Sequence, residues 1–171
     1  GDVMGQDCQK MQALHDPDET VLEEEMARAT APFSQKLGNV TALRGRLLDV
    51  MWEDVGVMRD ADGLQRGLQR IADIDDELSS TGVAADNLAF NLSWHDWLNL
   101  RSLVDMSRVI AKSALSRQNS RGAHFREDHP DAGAMQDSYF TVATGRDKDI
   151  SVARAPVQFT IVKPGETLLG T

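Results

Sequence analysis

The sequence contains a single cysteine, Cys8. One thiol cannot close an intramolecular disulfide, and it cannot build a cysteine-based zinc or iron–sulfur site. This agrees with a reducing compartment. Aromatic residues are scarce, at 5%, so leucines and the seven methionines must fill the core, and Met packs adaptably. No stretch approaches the ~20 apolar residues of a membrane span. The N-terminus lacks the basic region and apolar run of a secretory leader. Basic charge is short as well: 18 Lys and Arg stand against 27 Asp and Glu, a net charge of -9. Phosphate binding needs clustered Lys and Arg, so this balance argues against a nucleic-acid partner. The acidity reads as a solvated surface. Motifs that carry chemistry are also missing. No Gly-x-Gly-x-x-Gly loop follows a strand, and there is no Gly-rich phosphate loop and no serine nucleophile elbow.

What is present is helical patterning. Val3, Met4, Cys8, Met11 and Leu14 give residues 2–14 one modest apolar face. Asp16-Pro17-Asp18-Glu19 reads as a stop and a new start, since Pro suits a first helical turn and acids suit its positive end. Val21, Leu22, Met26, Ala29, Phe33 and Leu37 continue in steps of three and four, and Pro32 should kink or divide that segment. Asn39 is a credible N-cap for a helix over about 39–58, striped by Val40, Leu43, Leu47, Val50, Met51, Val55 and Met58. Within it, small Gly56 is expected to let a neighbouring helix approach closely. Asp60-Ala61-Asp62-Gly63 is read as a turn, and Leu64 to Leu78 as the next helix. Asp86 or Asn87 should cap the longest helix, about 88–118. Its apolar residues fall on more than one face, from Leu92 and Trp94 to Ile110 and Leu115, which is the mark of a central helix.

These spacings predict a mainly α fold: an antiparallel up-down three-helix bundle, spectrin-repeat-like, preceded by N-terminal helices. After Pro130 the composition turns to Val, Ile, Thr, Tyr and Phe. A C-terminal β-hairpin or extended arm is expected, with arms at 138–144 and 150–162 joined through Gly145–Asp149. A lone hairpin is marginal and must dock on something.

The densest stretch is Ser120-Arg121-Gly122-Ala123-His124-Phe125-Arg126-Glu127-Asp128-His129-Pro130. Arg121 and Arg126 are forked donors suited to carboxylates or carbonyls. Gly122 can turn the chain, and Pro130 stops a helix from resuming. Composition alone reads this as an elaborate helix C-cap. His124, His129 and Asp128 can be drawn as a metal site, but two fixed guanidinium charges would compete with the ion. His95, between Trp94 and Asp96, reads as a packed or capping histidine.

Ser120-Arg121-Gly122-Ala123-His124 with Arg126 and Asp128 resembles the signature of the C-terminal helical domain of succinate dehydrogenase and fumarate reductase flavoprotein subunits. Met51-Trp52-Glu53-Asp54-Val55-Gly56-Val57-Met58-Arg59 resembles that domain's Met-Trp-x-x-Val-Gly-Ile-x-Arg block. Leu64, Leu68 and Leu78, then Trp97-Leu98-Asn99-Leu100, follow in the family's order. The resemblance covers residues 37–130, with one departure: Asn119 stands where many members have Glu. Ala123 leans away from the related L-aspartate oxidases, which usually carry a bulkier residue there.

The resemblance implies a full-length, FAD-dependent protein that interconverts succinate and fumarate and passes electrons to an iron–sulfur subunit. The family's flavin-attaching and substrate-binding residues precede this helical domain, so the chain itself should hold no cofactor and no catalytic or metal-ligating residue. Gly1–Gly5 would be the tail of a helix leaving the FAD-binding domain. Residues 1–37 would then be a lead-in, 38–130 the bundle and 131–171 the arm. Arg121, His124, Arg126 and Asp128 are expected to dock the bundle on the FAD-binding domain. The location implied is cytoplasmic, peripheral to the inner membrane through partner subunits, with no direct membrane insertion. The alternatives are an L-aspartate oxidase-type C-terminal domain and a stand-alone helical interaction module.

Overall fold

A computed structural model of the chain describes residues 1–11, 16, 18–84, 87–145 and 149–167. The fold is mainly helical, with a small strand portion toward the C-terminus. In chain order the elements are α1 (Asp2–Lys10), α2 (Glu19–Thr30), a 3-10 turn (Ala31–Ser34), β1 (Lys36–Leu37), α3 (Val40–Glu53), β2 (Met58–Arg59), α4 (Ala61–Ser79), β3 (Thr81–Gly82), α5 (Leu92–Ser116), β4 (Phe125–Arg126), a second 3-10 turn (Met135–Asp137), β5 (Tyr139–Thr144) and β6 (Ser151–Pro156). Leu14, His15, Pro17, Asp86 and most of the hairpin turn lie outside the described residues.

Helix starts follow side-chain capping. A helix leaves its first N–H groups without intrahelical partners, and short polar side chains satisfy them. Asp18 accepts from Thr20 N–H, Asn39 from Ala42 N–H at 2.9 Å, Asp60 from Gly63 N–H at 2.6 Å and Asn91 from Trp94 N–H at 2.9 Å. Asn39 is therefore the cap the sequence suggests. Two other readings are corrected. Asp60-Ala61-Asp62-Gly63 is a cap and first helical turn, not a free turn. The longest helix starts at Leu92 because Asn91 caps it.

α3 also ends earlier than its apolar stripe, at Glu53. The chain folds back over the helix end, and a Cβ at Gly56 would sit 2.4 Å from the Trp52 carbonyl oxygen. Gly56 thus permits a tight exit from α3; it does not make room for a neighbouring helix. Pro32 divides its segment as expected: α2 stops at Thr30 and Pro32 is buried in the 3-10 turn.

The core lies where α3, α4 and α5 pack on one another. Leu43, Leu47 and Val50 of α3 meet Leu64, Ile71, Ile74 and Leu78 of α4 and Trp97, Leu100, Val104, Ala111 and Ala114 of α5. Burying each larger apolar side chain contributes roughly 1.5–3 kcal/mol. Charges cross-link the same helices. The Asp75 carboxylate on α4 is fully buried and accepts from Arg101 and Arg108 of α5, both at 2.6 Å. Buried Asp54 accepts from Arg66 at 2.8 Å and Arg70 at 2.7 Å.

α5 is not buried all round. Trp97, Leu100, Val104, Ala111 and Ala114 face inward, whereas Leu103, Met106 and Ile110 remain 43%, 55% and 43% exposed. On α3, Leu48 and Trp52 are also exposed. The second apolar face read from the sequence is thus real but uncovered.

Three two-stranded pairings complete the fold. β1 pairs in parallel with β3, and β2 in parallel with β4 through Met58↔Phe125 and Arg59↔Arg126. β5 and β6 form an antiparallel hairpin, with Pro156 opposite Tyr139 at its open end, where a missing N–H costs least. The hairpin docks on α5 of its own chain. Lys112 donates to the Ile150 carbonyl at 2.9 Å, and the guanidiniums of Arg117 and Arg154 lie over the Tyr139 ring, 4.8 and 4.7 Å from its centroid. Among the described residues, no helix is long and apolar enough to cross a membrane.

Candidate docking segment after the longest helix

α5 stops at Ser116 because Arg117 turns to extended backbone. The chain then makes a miniature hairpin, in which Arg121 and His124 exchange backbone hydrogen bonds at 2.9 and 3.0 Å. Gly122 has φ +57°, and Ala123 does not share the positive sign. That is the pattern of a turn with glycine at its first central position. β4 follows and lies against β2, so Glu127 N–H reaches the Arg59 carbonyl at 2.7 Å.

Arg126 sits beneath this turn at 1% exposure. Its Nη1 donates to the carbonyls of Ala114, Leu115 and Arg117 at 3.0, 3.1 and 3.2 Å. Its Nε and Nη2 meet both carboxylate oxygens of Asp128 at 2.7 and 2.6 Å. Asp128 Oδ2 in turn accepts the Ala61 N–H at 3.0 Å. A cation therefore covers the carbonyl end of α5, and an anion covers the N–H end of α4. Each charge matches the partial charge of the helix end that it touches. Ser120 ties the loop further: its Oγ donates to the His129 carbonyl at 2.7 Å and accepts the Arg126 N–H at 2.9 Å.

Arg121 reaches forward instead. It donates to the carbonyls of Ala132 and Ala134 and to Ser138 Oγ at 2.8 Å, binding the stretch that leads into β5. Asn119, at the family's Glu position, accepts from Arg117 Nε at 3.0 Å as a neutral partner. His124 Nδ1 lies 3.0 Å from Arg59 Nη1. Arg can only donate, so Nδ1 accepts and the ring proton sits on Nε2. The imidazole's Nδ1 lone pair thus faces the Arg59 guanidinium. Burial pushes the His124 pKa down, the Arg117 carbonyl opposes this, and Arg59, Arg117 and Arg126 add to the lowering. His129 Nε2 lies 4.0 Å from Asp128 and His124 faces Arg59, so the two histidines do not converge. No grouping of His, Cys, Asp or Glu able to hold a metal occurs among the described residues.

The four residues singled out in the sequence thus fall in one segment with distinct roles. Arg126 and Asp128 form one bridge between helix ends, Arg121 anchors the following strand, and His124 contacts β2. Sequence reasoning missed Arg59 and Arg117 as members of the same cluster. Arg59 closes the Met-Trp block, but only the β2–β4 pairing brings it to His124.

The pair gives a pH signature. Arg126 holds the Asp128 carboxyl well below the usual carboxylate range, with the Ala61 N–H assisting. A depressed folded-state pKa contributes stability that is present above the unfolded value of about 3.9 and is lost as pH falls through the folded value. His124, lowered from the ordinary value, binds its proton more readily when unfolded, so stability also falls as pH drops below about 6.5. Asp128→Asn should flatten the loss below about pH 4 and leave the His124 loss intact. Denaturant midpoints of both proteins from pH 7 to 2 check this.

Residues 44–168 match the family described as "Fumarate reductase flavoprotein C-term", and the chain belongs to that family. It is 31% identical over 135 residues to an uncharacterized FAD-dependent oxidoreductase of Methanocaldococcus jannaschii, covering 77% of this chain and 24% of that protein. It is 42% identical over 81 residues to L-aspartate oxidase 1 of Ralstonia nicotianae, covering 47% of this chain and 14% of that protein. In structure it is similar to Mycobacterium smegmatis Sdh1 in complex with UQ1, with TM-score 0.70 and 27% identity over 84% of this chain and 25% of that one. The chain thus spans about a quarter of the length of relatives such as the M. jannaschii protein.

Proposed function

We propose that this chain is the C-terminal portion of a flavin-dependent oxidoreductase subunit of the succinate dehydrogenase/fumarate reductase type. The carrying observation is the family match over residues 44–168 of a chain that spans about a quarter of its relatives. In this reading FAD and the substrate belong to a preceding portion of the same polypeptide, which interconverts succinate and fumarate. The present chain is non-catalytic and holds no cofactor. Residues 1–37 lead in from the FAD-binding domain, 38–130 form an antiparallel three-helix bundle of spectrin-repeat type, and 131–171 form the arm. The bundle braces the FAD-binding domain and supports contact with an iron–sulfur subunit. The assembly is cytoplasmic, peripheral to the inner membrane through its partners.

Docking is assigned to the segment from Arg121 to Asp128. Buried Arg126, paired with Asp128, sets its shape, while Gly122, Ala123 and Phe125 are exposed. The exposed Leu48, Trp52, Leu103, Met106 and Ile110 supply apolar area of the kind an interface uses. The test is the native reading frame: a Gly-x-Gly-x-x-Gly fingerprint should stand in frame ahead of Gly1. A native start at or near Gly1 would contradict the proposal.

A second reading is an L-aspartate oxidase-type subunit, favoured by the 42% identity over 81 residues to such an enzyme. Copurification separates the two. The first reading expects a cysteine-rich iron–sulfur protein in complex with the full-length subunit, and the second expects none.

A further inference from the structure

One cavity combines cations without an acid. It measures about 470 Å³ and lies between the last turns of α5, β5 and the Arg121–His124 hairpin. Arg59, Arg117, Arg121 and His124 line it, with Val109 and Thr141 among its other walls. In a chain of net charge -9, no carboxylate is among those walls. Arg121 has all three of its nitrogens engaged, on Ala132, Ser138 and Ala134. The other two guanidiniums are differently placed. Arg59 uses Nε on the Val55 carbonyl and Nη1 on His124, and Arg117 uses Nε on Asn119 and Nη1 on Tyr139 and Thr141. Their Nη2 groups carry N–H donors that those contacts leave over. Burial lowers the Arg59 pKa. Forked donors beside apolar walls favour a planar anion, and two guanidiniums can share one carboxylate.

We propose that this cavity receives an acidic side chain, Asp or Glu, from the preceding flavin-binding portion of the full-length polypeptide, held by Arg59 and Arg117. The inference rests on the docking role proposed above and names the chemistry of the contact. The cavity adjoins the docking segment and shares Arg121 and His124 with it, so docking would bring the flavin-binding portion up to these cations, where an acid is the complementary group. With the acid seated, its single negative charge offsets part of the cluster's positive charge.

The test uses the full-length polypeptide carrying Arg117→Lys and, separately, Arg59→Lys, each treated with a carbodiimide. This reagent joins an amine to a carboxylate only where the two are in contact. The expected result is a cross-linked peptide between position 117 or 59 and an Asp or Glu of the flavin-binding portion. In unsubstituted protein, phenylglyoxal should modify Arg117 about tenfold more slowly in the full-length polypeptide than in this chain alone, as expected for losing one charge-assisted pair. Two results overturn the inference while flavin absorbance shows the full-length protein intact. One is the absence of any cross-link from either position to that portion. The other is protection of Arg117 in the full-length protein only when acetate is added, which assigns the cavity to a free carboxylate. A full-length polypeptide without flavin absorbance would overturn the broader functional reading, separately from these outcomes.

Discussion

Arg126→Leu should destabilise the isolated chain by about 3 kcal/mol or more, because removing a buried guanidinium strands the groups it satisfied. Three carbonyls at the end of α5 would lose their common donor, and Asp128 would lose both of its guanidinium bonds. Asp128 keeps some access to water, with 31% side-chain exposure, so the carbonyls dominate the cost. For a chain of this size the expected fall in melting temperature is about 6–12 °C. Arg126→Lys should recover little, since an ammonium cannot hold a bidentate carboxylate and three carbonyls at once. Arg121→Ala should cost less, about 1 kcal/mol, because its partners lie near solvent and can hydrate. Equal losses for Arg121→Ala and Arg126→Leu would show that the segment is a uniform cap and not a bridge with one buried centre.

Asp75→Asn should be nearly as costly, again about 3 kcal/mol, and for a different reason. Asp75 is the fully buried carboxylate that pairs with both Arg101 and Arg108, whose side chains are 14% and 6% exposed. Neutralising it leaves the two α5 guanidiniums beside a buried neutral amide, with only the more exposed Asp105 carboxylate within reach of both. Asp105, whose side chain is 31% exposed, also pairs with Arg108 at 3.1 Å, but Asp105→Asn should cost below about 1 kcal/mol because water replaces it. Combining Asp75→Leu with Arg108→Met should recover much of the loss, since a well-packed apolar pair can match a buried ion pair. Urea unfolding of the three variants measures all of this. A full loss persisting in the double variant would mean that Asp75 supports the helices through something other than charge.

How much of this was legible beforehand depends on the range of the interaction. Local signals read well. Asn39 announces α3, Pro32 ends α2, and the Val- and Thr-rich stretches announce the hairpin, because capping, ring sterics and alternation act within a few residues. Boundaries read less well where the tertiary path decides them. The stripe through Val55 and Met58 reads as helix, yet Met58 pairs with Phe125 in a strand, and only the folded chain places those residues side by side. The apolar residues of α5 were visible, but not which of them would stay exposed, since that depends on what covers the helix. In the candidate segment, the resemblance brought Arg121, His124, Arg126 and Asp128 forward together. It did not separate the Arg126–Asp128 bridge from the other two residues, because the helix ends that Arg126 and Asp128 join are more than 50 residues apart in sequence. Arg117 gave no sequence signal, since a lone Arg after a helix is ordinary capping chemistry.

The account turns on redox chemistry residing in a neighbouring portion of the same polypeptide, with these helices as its support. The most direct measurement compares the purified chain with the full-length polypeptide for flavin absorbance and for fumarate reduction by a reduced dye. The account predicts both activities in the full-length protein, and neither in this chain with FAD added. Flavin held by the isolated chain, or fumarate reduced by it, would contradict the account.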